Sequence, residues 1–163
     1  MSRKLLLRLV GILVVVGAAL WWQQGGTGGP VSDEEARRYF AGIVSAAEQQ
    51  DFEALCKLNA SVGTCEFDMR IACRPPAGGP IDPGKDVLAE WCRRAAPRDA
   101  PEIVSSMDRE GRSGFVGGRV LLVRGTDGHG RHYETEVLIF RDKRSYRATH
   151  AVFWSGEKFP KDQ

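Results

Sequence analysis

The chain has 163 residues, with 23 Lys or Arg against 21 Asp or Glu and a net charge of +2 when histidine is neutral. Three of the basic residues, Arg3, Lys4 and Arg8, precede Gly25, which leaves 20 basic against 21 acidic side chains beyond it. A near-neutral segment has no basic footprint for nucleic acid, and the clusters Arg37-Arg38, Arg93-Arg94 and 141–144 read as solvated helix faces and a turn.

The first element is an apolar run over residues 5–22, broken only by Arg8. At about 1.5 Å per residue a helix of this length spans roughly 27 Å, close to the hydrocarbon thickness of a bilayer. Arg8 lies near the start of the run, where its side chain can snorkel to the headgroups. The basic residues all precede the run and Trp21-Trp22 closes it, so the positive-inside rule puts the N-terminus in the cytoplasm and the rest outside. Residues 1–24 therefore read as a single-pass anchor in the cell membrane. Residues 25–31 read as a Gly-rich tether, of which six flexible residues reach only about 13 Å. A cleaved signal peptide is the rival reading, because Gly17-Ala18-Ala19 imitates a cleavage motif; the protein would then be secreted.

Residues 32–157 read as the extracytoplasmic domain and 158–163 as a tail. Ser32-Asp33-Glu34-Glu35 is a capping box that predicts a helix start. Ala36, Phe40, Ile43, Val44 and Ala47 then line one helical face. Asp51 caps a short second helix over 52–58, with Phe52, Leu55 and Cys56 pointing one way. From 59 to 82 the pattern lapses into a Gly, Pro and Ser loop. Asp82-Pro83 predicts entry to a third helix, with Val87, Leu88, Trp91, Cys92 and Ala95 buried and Pro97 ending it.

Cys56, Cys65, Cys73 and Cys92 fall within 37 residues of this outside part. An even count outside the membrane predicts two disulfides, and the absence of a C-x-x-C knuckle argues against zinc. Three pairings are open. The nested one, Cys56 with Cys92 and Cys65 with Cys73, is preferred because Cys56 and Cys92 each sit on the apolar face of a predicted helix.

Beyond Pro101 the pattern turns to strands at 103–107, 115–124, 131–141 and 145–154, divided by turn-forming segments, and the last three predict an antiparallel meander. Tyr133, Thr135, Val137 and Ile139 share one face of the second of these; Tyr146, Ala148, His150, Val152 and Trp154 share one face of the third. The fold class is α+β, with helices on one side of an antiparallel sheet.

The capped helix, the segment DFEALCKL, the cysteine-bearing helix and the terminal run of strands resemble the cystatin-like cone of the nuclear transport factor 2-like superfamily. The segment DFEALCKL in particular resembles a helix common in its secreted and membrane-anchored bacterial members, many of them actinobacterial. It covers roughly residues 32–156 and implies helices on one face of a curved sheet. The superfamily includes cyclases, isomerases, ligand-binding proteins and scaffolds, so the likeness alone selects no activity.

A pocket of that kind would draw on Tyr133, Tyr146, His150, Trp154 and Trp91, with Asp68 or Glu134 as carboxylate. His150 on an apolar face could act as a base. His129 and His132 belong to the GTDGHGRH turn. No nucleophile elbow, phosphate loop, metal cluster or cofactor motif is present, so no residue is read as catalytic and no cofactor is expected. The sequence favours a non-catalytic, membrane-tethered module that binds a protein partner at the outer membrane surface. A small-molecule pocket protein, or an isomerase- or cyclase-like enzyme, is the alternative.

Overall fold

The computed structural model describes residues 30–80, 82–111, 117–143 and 145–158. The expected anchor at 5–22 and most of the tether lie outside these residues. Among the described residues no helix is long and apolar enough to cross a membrane.

Among the described residues four helices precede four strands: α1 (Asp33–Glu48), α2 (Phe52–Leu58), α3 (Val62–Ala72), α4 (Lys85–Ala95), then β1 (Glu102–Arg109), β2 (Gly118–Thr126), β3 (His132–Asp142) and β4 (Ser145–Ala148). The strands form an antiparallel meander in the order β1-β2-β3-β4. The domain is α+β, as expected.

The α1 capping box is complete: the Glu35 amide donates to Ser32 Oγ and the Ser32 amide to Glu35 Oε2. Ala36, Phe40, Ile43 and Ala47 are buried on its inner face. Asp51 accepts from the Ala54 amide and starts α2, which spans the predicted residues and buries Leu55 and Cys56.

The expected loop at 59–82 is overturned, because residues 62–72 form α3, capped by Ser61, whose Oγ accepts from the Thr64 amide. Its buried stripe is Cys65, Asp68, Met69 and Ala72, a helical spacing written without Leu, Val or Phe. The strong apolar residues Phe67 and Ile71 stand exposed instead, so the apolar periodicity points away from the buried face.

The start of α4 is also shifted. Gly84, not Asp82, is its N-cap and makes no side-chain bond, while Asp82 pairs with Arg70 at 2.8 Å. Leu88, Cys92 and Ala95 are buried as predicted, whereas Val87 is exposed.

In the sheet, Leu121 and Val123 of β2 lie opposite Val137 and Thr135 of β3, and Ile139 lies opposite Ala148 of β4. Tyr133, Thr135, Val137 and Ile139 are all buried, so the predicted face of β3 is the core face. Helix α1 packs against β2 and β3, and α2 against β4.

The last predicted strand is cut short. β4 stops at Ala148, and His150 takes the left-handed conformation with φ 54°. Alternation is lost beyond that point: Ala151, Val152, Phe153 and Trp154 are buried in succession. The chain then returns to β3, where Gly156 N donates to Thr135 Oγ1 and Glu136 N to the Glu157 carbonyl. His150 therefore does not share a strand face with Val152 and Trp154, contrary to expectation.

Candidate functional site

The four cysteines form two disulfides, Cys56–Cys65 and Cys73–Cys92, and none is free. The nested pairing is therefore wrong, and α3 is the reason. Cys65 lies within α3 and Cys73 is its C-cap; a rise over eight helical steps separates them by about 12 Å, well beyond the ~7 Å that a disulfide tolerates. Each instead reaches a neighbouring helix, Cys65 to α2 and Cys73 to α4, with Cα–Cα distances of 5.4 and 4.7 Å. Met69 lies between the bridges, its Sδ 3.6 Å from Cys56 Sγ. The two bridges fasten α3 at both ends.

The five residues expected around a pocket are dispersed. Tyr133 is a core residue, 7% exposed, with its ring 6.0 Å from that of Phe153. Its hydroxyl makes no hydrogen bond among the described residues, and burial, reinforced by the Asp127 charge, pushes its pKa up. Trp154 is buried with its ring edge-on to Phe153 at 5.1 Å. Phe153 also meets Phe40 edge-on at 5.5 Å. Phe40, Tyr133, Phe153 and Trp154 together fill the space between helices and sheet in which an apolar ligand would sit.

Tyr146 belongs to a different cluster. Its hydroxyl donates to Glu35 Oε1 at 2.5 Å, and Arg141 Nη2 donates to both oxygens, at 2.8 Å to Glu35 and 2.9 Å to Tyr146. The Tyr146 hydroxyl, the Ser32 amide and the Arg141 charge hold the Glu35 carboxyl down at about 2. This cluster ties the first turn of α1 to the β3–β4 hairpin. Arg144, in the same basic turn, lies outside the described residues.

His150 is brought to Asp68, one of the two carboxylates expected from sequence. Its Nδ1 stands 3.6 Å from Asp68 Oδ2, and the side chains are 19% and 6% exposed. Asn59 holds the adjoining backbone, its Oδ1 accepting from Ala151 N at 3.1 Å and its Nδ2 donating to the Ser61 carbonyl. A buried carboxylate beside an imidazole can orient the ring. Glu134, the other expected carboxylate, faces away and pairs with Lys158 at 2.5 Å.

Trp91 lies at the surface, half-buried, in a cleft formed by α4 and the β2–β3 turn. That turn follows the expected chemistry: Asp127 Oδ1 accepts from the amides of His129 and Arg131, and Oδ2 from Arg131 Nε. Arg131 also donates to the Ala72 carbonyl at 2.6 Å and so satisfies the end of α3. This contact has no signal in the sequence, since the helix it caps reads as loop. A second, shallower cleft of about 620 Å³ runs along the end of the sheet beside Asp99, Glu102, Arg124, His132 and Glu134. Among the described residues no group of His, Cys, Asp and Glu is placed to hold a metal ion.

Comparisons with protein-family models, with curated proteins and with solved structures each find no match.

Proposed function

We propose that this protein is a membrane-tethered, extracytoplasmic binding module of the nuclear transport factor 2-like cone type, which engages a protein partner close to the bilayer. The observation that carries the reading is the filled interior. Tyr133 and Trp154, expected to line a cavity, pack with Phe40 and Phe153 instead. The two disulfides suit an oxidising compartment, and the basic tip with the apolar run at 5–22 suits an anchor. A short tether restricts any partner to the membrane surface.

Crosslinking with mass spectrometry on the full chain in its native membrane tests this. The expected result is reproducible linkage from Lys57, Lys85 or Lys143 to one membrane-associated protein, lost when a cleavable secretion signal replaces residues 1–24. Absence of such a partner, with a small molecule retained in the purified protein, would overturn it.

The Asp68–His150 pair favours a second reading, proton transfer on a small ligand at that pair. A ligand whose binding is abolished equally by Asp68→Asn and His150→Gln would support it.

A further inference from the structure

The cleft between α4 and the β2–β3 turn has a volume of about 450 Å³, within the range of small-molecule sites. One wall carries Trp91, Arg93, Arg94 and Arg98, and the other carries Gly128 and His129. The walls are fixed to one another. Gly128 N donates to the Ala95 carbonyl at 2.8 Å, and a Cβ at Gly128 would stand 2.0 Å from the Arg94 carbonyl oxygen, so only glycine permits this approach. The Trp91 ring is held as well. Gly79 lies against it, where a Cβ would come within 2.5 Å, and Arg74 secures the Gly79 carbonyl at 2.7 Å.

Ordinary helix electrostatics accounts for part of the charge. Arg93 and Arg94 occupy the last turn of α4, where cations complement the dipole, and both pair with Glu90. Two features are left over. Arg98 lies beyond the helix end and has no ion pair or hydrogen bond among the described residues. His129 Nε2 is withdrawn from water with no hydrogen-bond partner among the described residues, a costly state for a polar atom. The cleft thus gathers three guanidinium groups against one carboxylate, beside a pre-positioned aromatic ring, in a domain of nearly neutral charge.

We propose that this cleft binds a phosphorylated sugar. The phosphate lies on Arg98 and Arg94, whose planar forks match phosphate oxygens, and the sugar ring lies against Trp91, which offers an apolar face. This goes beyond protein-partner binding and does not depend on it.

The test is isothermal titration calorimetry of the full chain in lauryldimethylamine-oxide micelles, which contain neither phosphate nor sugar. Glucose 6-phosphate, inorganic phosphate and glucose are titrated in turn. The expected result is a Kd for glucose 6-phosphate below about 1 mM, at least tenfold tighter than for inorganic phosphate, with no heat from glucose. Arg98→Gln, an exposed substitution, should weaken glucose 6-phosphate at least tenfold, and Arg38→Gln on the exposed face of α1 should leave it unchanged. Trp91→Leu should abolish the advantage of glucose 6-phosphate over inorganic phosphate while leaving phosphate itself bound. The same monoester could be presented on a lipid, and competition by phosphatidylinositol 4-phosphate in the micelles would assign that source; its failure to compete would assign a soluble one. Equal affinity for glucose 6-phosphate and inorganic phosphate in the wild type, or equal weakening by Arg38→Gln and Arg98→Gln, would overturn the proposal.

Discussion

Glu35 is one residue through which pH reaches the fold. Its carboxylate accepts from the Tyr146 hydroxyl, the Ser32 amide and Arg141, and its pKa falls from 4.5 to about 2. A group depressed on folding contributes stability above its unfolded value and loses it as pH falls through the folded value. Wild-type stability should therefore decline between pH 4.5 and about 2, and Glu35→Gln should flatten part of that decline in acid-titrated urea melts. Glu90 and Glu134, both lowered by their cationic partners, supply a share that Glu35→Gln leaves in place. Asn59 offers a test without charge. It is 4% exposed and satisfies the Ala151 amide, so Asn59→Ala strands a buried donor and should cost about 1–3 kcal/mol in denaturant unfolding.

At the scale of elements, the disulfides decide which helices move together. Trypsin cleavage after Lys57, Arg70, Lys85 and Arg93 places each cysteine on its own peptide. Non-reducing maps should link the peptide ending at Lys57 to the one ending at Arg70, and the peptide ending at Lys85 to the one ending at Arg93. Each bridge closes a short loop, with sequence separations of 9 and 19, and chain-entropy arithmetic gives about 3 kcal/mol apiece. Cys73→Ala/Cys92→Ala should therefore lower stability by about that amount, read from chemical denaturation. Helices α1 and α2 were legible because their caps and apolar faces agree, and the meander because its strands alternate between clear turns. Helix α3 was not legible, since its buried stripe is Cys, Asp, Met and Ala while Phe67 and Ile71 face outward. Missing α3 also hid the pairing, since only a helix keeps Cys65 and Cys73 apart. The approach of Asp68 to His150 was hidden for the same reason: both residues were candidates, but the carboxylate lay in apparent loop. The end of β4 misled differently. A pattern of period two continues through His150, Val152 and Trp154, yet burial of Ala151 and Phe153 between them requires the chain to leave the sheet.

For the whole molecule, the question is whether the space between helices and sheet is core or pocket. Phe153 is 1% exposed and meets the rings of Phe40, Tyr133 and Trp154. Removing it should cost about 3–5 kcal/mol, because the surrounding backbone, pinned by two disulfides and the sheet, collapses only partly. For a domain of this size that lowers the melting temperature by about 10 °C or more. The cavity left behind is lined by aromatic and aliphatic side chains, and an apolar void of that kind stays dry and accepts benzene. Saturating benzene should therefore raise the melting temperature of Phe153→Ala in the full chain while leaving the wild type unchanged. A ligand that binds only the folded state must stabilise it, so the two melts answer separate questions. A rise in the wild type would mean that the interior holds room for a small molecule and that the protein-binding reading rests on the wrong surface. A rise in Phe153→Ala alone would place Phe153 as the plug, and would assign recognition to the outside of the domain.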